Sequence, residues 1–122
     1  SNIKKAKTNN KILLFDIDWK GARKIRKQIE KEKIIDFFIL PPTVKELKKR
    51  LLKRGRDNQE DINLRLSYAL KEISHYKEYD NVLINQNIKQ TVDEIIHIIK
   101  YNFIIDKNKQ LAHRILKSFI NF

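Results

Sequence analysis

Ile12-Leu13-Leu14-Phe15-Asp16-Ile17-Asp18-Trp19-Lys20-Gly21-Ala22 is the stretch on which the fold turns. Its first four residues are a continuous apolar run closed by an acid, too short for a helix and suited to a strand buried on both faces. After Asp18 the apolar positions change period. Trp19, Ala22, Ile25 and Ile29 recur at helical spacing among Lys and Arg to about Lys33. A strand that hands over to a helix opens an α/β layer, and the rest of the chain repeats the alternation.

Upstream, Ser1 to Asn10 is polar, with Ile3 and Ala6 at helical spacing, and reads as the end of a helix. Downstream, Ile34 to Leu40 is a second strand, ended by Pro41-Pro42 because proline cannot donate to a ladder. Thr43 with Glu46 has capping-box spacing and opens a helix that turns Val44, Leu47 and Leu51 inward. A polar break, Lys53 to Asn58, precedes another amphipathic helix marked by Ile62, Leu66, Ala69, Leu70 and Ile73 and running to about Tyr76. Val82-Leu83-Ile84 is a short third strand that stops at Asn85-Gln86-Asn87. Thr91 and Glu94 repeat the capping-box spacing before Val92, Ile95, Ile96 and Ile99. The last stretch, 107–122, reads as an appended amphipathic helix whose apolar positions begin at Leu111 and continue through Ile115, Leu116, Phe119 and Ile120. Three strands are few for a parallel sheet, and no strand precedes the opening helix. Residues 1–122 therefore read as the later part of a larger α/β domain.

Composition narrows the chemistry. The chain has 122 residues and no cysteine, which removes disulfides, thiolate zinc sites, iron–sulfur clusters and thiol nucleophiles. Its apolar runs are far below the roughly 18 residues of a membrane span, so a soluble, cytoplasmic protein with no membrane partner is expected. The net charge of +12 suggests an anionic partner at face value. However, Lys (20), Ile (20) and Asn (11) dominate the composition, as an AT-rich coding bias would produce, and most of the charge then belongs to solvated surface. His75, His97 and His113 show no metal-ligand spacing, and no Ser-His-Asp set is suggested.

In open parallel sheets ligands bind outside the carboxyl ends of the strands. The distinctive polar residues fall there: Asp16 and Asp18 after the first strand, Pro41-Pro42 after the second, Asn85-Gln86 after the third. A strand ending in Asp resembles the arrangement in which a carboxylate supports Mg²⁺ beside bound phosphates.

The longer pattern is more specific. Leu14 to Ala22 resembles the L-D-I-D-W-Q-G-A signature of guanylate kinases, with Phe15 and Lys20 as departures. In order, Phe38-Ile39-Leu40-Pro41-Pro42 is similar to that family's F-I-L-P-P, and Arg50 to Asp57 to its R-L-x-x-R-G-x-D. Ser74 to Asp80 resembles its S-H-Y-x-E-Y-D, and Val82 to Asn85 its V-I-V-N. Five collinear matches cover about residues 11–105.

The resemblance implies a partial P-loop kinase-type parallel sheet with flanking helices and a helical lid over about 46–66. It implies transfer of the γ-phosphoryl group of ATP to GMP, with Mg²⁺. By the same resemblance, Asp16 is the carboxylate near Mg²⁺, acting indirectly, and Asp18 is the acid that reads guanine. Arg54 and Arg65 are the lid arginines that engage phosphates, Arg54 on the ATP side and Arg65 on the GMP phosphate, and both are catalytic. Asn85 and Gln86 form the turn that contacts adenine, although the family usually has Asp where Gln86 stands.

Arg50, Arg56 and most lysines read as solvated surface, and Trp19 and Tyr76 as core or sheet-packing aromatics. The family's G-x-x-x-x-G-K-[ST] loop does not occur, and with only two glycines in the chain none is hidden. The chain alone is therefore expected not to turn over GMP, and to self-associate or pair with the missing N-terminal part. A non-catalytic guanylate-kinase-like binding module is the alternative. Nucleic-acid binding ranks third, since no aromatic-basic interleaving appears.

Overall fold

A computed structural model describes residues 12–54 and 58–120, apart from the side chain of Arg54. The chain divides into two compact units, Ser1–Lys31 and Glu32–Phe122. The helix expected before residue 11 lies outside the described residues.

In the first unit, Ile12 to Asp18 carries no regular secondary structure, and its apolar side chains are exposed, Leu14 at 95%. The strand expected over Ile12–Phe15 is thus not formed. A strand exists only where a neighbour completes its hydrogen bonds, and none of the described strands pairs with this segment. Helix α1 follows at Trp19–Gln28, with Asp18 as its N-cap. Asp18 Oδ1 accepts from the Gly21 amide at 2.8 Å. A Cβ on Gly21 would lie 3.1 Å from Ile17 Cβ and 3.4 Å from Asp18 Oδ1, so glycine suits this turn through close approach. Helix α1 ends earlier than its periodicity suggested. Ile29 is extended and donates its amide to the Ile25 carbonyl, and only a short 3-10 turn, Lys31–Lys33, follows.

The second unit is organised by two parallel strands, β1 (Phe38–Leu40) and β2 (Val82–Ile84), in register Phe38↔Val82 to Leu40↔Ile84. The expected strand over Ile34–Leu40 is shortened to its last three residues, and the sheet has two described strands in place of three. Phe38 and Leu83 are buried, and the Phe38 ring meets Tyr79 with centroids 4.9 Å apart. The entrance to the ladder is pinned by polar groups. Asp36 Oδ1 accepts from the Asp80 amide at 2.7 Å, and Asn81 Nδ2 donates to the Asp36 carbonyl at 2.9 Å.

Between the strands lies a helical hairpin, α2 (Val44–Arg54) packed against α3 (Gln59–Ile73). Thr43 Oγ1 caps α2 by accepting from the Glu46 amide at 3.1 Å, as the spacing predicts. Asn58 Oδ1 caps α3 by accepting from the Asp61 amide at 3.0 Å. Helix α3 stops at Ile73 rather than near Tyr76, and the chain tightens into a 3-10 turn at Tyr76–Glu78. There His75 Nδ1 lies 2.5 Å from Glu78 Oε2. Tyr76 is exposed, so it is not the core aromatic the sequence suggested.

After β2 comes α4 (Ile88–Ile120), a single helix of 33 residues. Two expectations change here. Asn87, not Thr91, opens the helix, with Asn87 Oδ1 accepting from the Gln90 amide at 3.2 Å. The stretch over 107–122 is no separate helix: it continues α4 to Ile120, because no Gly or Pro interrupts it.

Candidate functional site

β1 and β2 are parallel, so their carboxyl ends share one edge, and the chain leaves that edge at Pro41-Pro42 and at Asn85-Gln86. Asn85 is held on three sides. Its amide donates to the Leu40 carbonyl at 2.8 Å, its carbonyl accepts from Arg50 Nη2 at 3.2 Å, and its Oδ1 lies 3.0 Å from Thr91 Oγ1. Thr91 is only 5% exposed, and its hydroxyl also lies 3.0 Å from the Asn87 carbonyl, so one proton serves two acceptors. This fixes the backbone of the turn while leaving the Asn85 side-chain NH₂ as donor. Gln86 beside it is exposed.

Arg50 is exposed, as the sequence suggests, and it also ties α2 to the carboxyl edge of the sheet through the Asn85 carbonyl, a contact that sequence reasoning did not show. A signal was available in its spacing, one helical turn before Arg54 in the sequence. Thr91→Val is expected to lower stability by about 1 kcal/mol, because it strands the half-buried Asn85 Oδ1, while Thr91→Ser retains the bond. Urea denaturation of the two variants checks this, and equal losses would remove the hydroxyl from the account.

The two arginines that the resemblance assigns to a lid, Arg54 and Arg65, lie on the hairpin. Arg54 is the last residue of α2, and Arg65, half-buried, sits in the second turn of α3. The residues joining the helices, 55–57, lie outside the described residues, and Arg56 with them.

The two acids belong to the first unit. Asp16 is exposed in the extended segment. Asp18 spends one carboxylate oxygen on the α1 cap, which fixes its rotamer and leaves the second oxygen to accept. Trp19 is half-buried, with the Arg23 guanidinium 4.6 Å from its ring centroid and the Lys20 ammonium at 5.5 Å. Cations thus lie over this ring, as on a packing aromatic.

The motif residues Ser74 to Asp80 do mostly structural work in the second unit. Ser74 Oγ donates to the Lys71 carbonyl at 2.6 Å, His75 meets Glu78, Tyr79 packs on Phe38, and the Asp80 amide is latched by Asp36. Among the described residues no cluster of three or more His, Cys, Asp or Glu could hold a metal unaided.

Comparison with known proteins bears on the family and the fold. The family model described as guanylate kinase matches residues 1–102. The guanylate kinase of Mannheimia succiniciproducens is 48% identical over 88 residues, covering 72% of this chain and 41% of that protein. The guanylate kinase of Histophilus somni is 42% identical over 109 residues, covering 85% of this chain and 51% of that protein. Among solved structures, guanylate kinase from Anaplasma phagocytophilum superposes with a TM-score of 0.56 at 35% identity, over 70% of this chain and 38% of that one. The mixed α/β fold with its parallel ladder is therefore of the P-loop kinase class. Within that class, the chain belongs to the guanylate kinase family. It spans about half or less of the length of the relatives it matches.

Proposed function

We propose that this chain supplies the lid, the adenine turn and the acidic pair of an enzyme that phosphorylates GMP with ATP, in the cytoplasm where both nucleotides occur. The observation that carries the reading is the placement of the matched residues in the second unit. Asn85-Gln86 leaves the carboxyl edge of a parallel ladder, and the hairpin bearing Arg54 and Arg65 is tied to that edge through Arg50.

Phosphoryl transfer asks the protein for positioning and charge stabilisation. The β–γ bridging P–O bond of ATP breaks, and a phosphate oxygen of GMP forms the new one. The guanidinium forks of Arg54 and Arg65 bind two phosphoryl oxygens each as charge develops, Arg54 from the ATP side and Arg65 on the GMP phosphate. Asn85, with its turn fixed, offers its amide to adenine, and Gln86 extends that contact. Asp18 accepts from the amino-bearing edge of guanine with the oxygen the cap leaves open. Asp16 is a lone exposed oxygen donor, which fits Mg²⁺ held mainly by phosphates and water and reached through a water. Asp16 would be the protein group near Mg²⁺, which when bound would supply charge neutralisation of the phosphates.

The backbone cradle for the ATP phosphates is absent from the 122 residues, so we infer that turnover requires that element from a further stretch of polypeptide. Mixing the chain with the preceding half of the Mannheimia succiniciproducens relative tests both points. The expected result is no ADP formation from ATP and GMP by the chain alone, and GMP-dependent ADP formation by the co-eluting mixture. A co-eluting mixture with no turnover, or turnover driven equally by AMP, would overturn the reading.

A further inference from the structure

The distal half of α4 lies beyond the family match, which ends at residue 102, and every residue over 106–120 is exposed. Wound at the α-helical pitch, this stretch sorts into two arcs. Ile104, Leu111, Ile115, Leu116, Phe119 and Ile120 lie on one, about half the circumference, interrupted by Asn108 and, near its border, Lys109. From residue 104 onward the opposite arc carries Lys107, Arg114 and Lys117 with a single acid, Asp106, while Phe103, one residue earlier, falls on this polar side. The apolar arc is open, with Phe119 71% and Leu116 58% exposed. A helix of this length is marginal in water without an apolar surface to lie on.

The pattern discriminates among occupants. An apolar half-circumference is wider than the two-position seam of a paired coiled coil. A second copy would also bring like charge to like charge, at +12 per chain. A bilayer interface satisfies both observations, since an amphipathic helix lies there half-sunk with its cations among anionic headgroups. No described helix is long and apolar enough to cross a membrane, which concerns spanning and not lying on the surface.

We propose that residues 104–120 form an amphipathic anchor that lays this protein flat on an anionic lipid surface. The anchor is independent of the nucleotide chemistry. Cosedimentation of the full chain with phosphatidylcholine vesicles, and with vesicles also containing phosphatidylglycerol, tests it. Binding to the anionic vesicles should be at least about tenfold tighter and should weaken with salt. Leu116→Glu with Phe119→Glu should abolish it, while K107Q with R114Q and K117Q should reduce it to the level of neutral vesicles. Phe119→Trp, which keeps the apolar arc intact, should bind as wild type and shift its emission to the blue on anionic vesicles. The proposal is overturned by absence of binding, by wild-type binding in the Leu116/Phe119 variant, or by emission from the Phe119→Trp variant that shifts no more than that of wild type. A dimer in sedimentation equilibrium that the same double variant dissolves, without vesicle binding, would assign the face to a second copy instead.

Discussion

Arg54→Ala lowers kcat by about 10³-fold in the complemented assembly, with the KM of either nucleotide moving by less than about tenfold. A lid arginine meets charge that is largest while the phosphoryl group is between its two oxygens, so its removal raises the barrier more than it weakens ground-state binding. Arg54 ends α2, and Gly55 follows it in the sequence, which is where the proposed function needs a cation for the phosphates. Arg54→Lys should recover little, because an ammonium cannot bind two oxygens in a fork. Arg65→Ala is expected to behave similarly, with a larger share in the KM for GMP. Steady-state kinetics with each nucleotide varied provides the check. A loss of stability that tracks the loss of kcat in Arg54→Ala would reduce this arginine to a structural role.

The second large effect separates the observed helix cap of Asp18 from its proposed contact with guanine. Asp18→Asn should leave the melting temperature nearly unchanged, because asparagine caps a helix as well as aspartate does. It should nonetheless lower kcat/KM for GMP by about 10²-fold, since a charged acceptor facing a purine amino group becomes a mixed donor and acceptor. Asp18→Ala should show the same kinetic loss plus about 1 kcal/mol of stability, the value of the lost cap. Thermal melts and kinetics on the two variants distinguish the roles. If the Asp18→Asn variant retained full activity toward GMP, Asp18 would be a cap and nothing more.

Much of this architecture was legible where local rules act alone. Thr43 announces α2, the period from Ile62 to Ile73 gives α3, and Val82-Leu83-Ile84 is the strand the apolar run suggests. Failures cluster where the outcome depends on a neighbour. Ile12–Phe15 has strand composition but no ladder partner among the described residues, and most of Ile34–Leu40 has the same fate. At the start of α4, Asn87 and Thr91 both carry capping side chains. The one nearer β2 takes the cap, leaving the Thr91 hydroxyl to bond inward to Asn85. The site itself was legible only as residue types in a familiar order. Periodicity could not show that Asp18 is half committed to a cap, or that Arg50 reaches Asn85, because the first is set by a rotamer and the second by a contact between residues 35 positions apart.

The latch between Asp36 and Asp80 bears on how the second unit assembles in time. It closes a loop of 44 residues, and every rung of the ladder joins partners equally remote in sequence. Closing such a loop as unstructured chain would cost on the order of 3 kcal/mol, before a two-stranded ladder returns anything. Helices α2 and α3 occupy most of that loop and need only near neighbours, so their prior formation shortens the search. The ladder is then the last part to form and the first to open. Amide exchange should accordingly be faster in β1 and β2 than in α2 and α3, even though the side chains of Phe38 and Leu83 are among the most buried of the described residues.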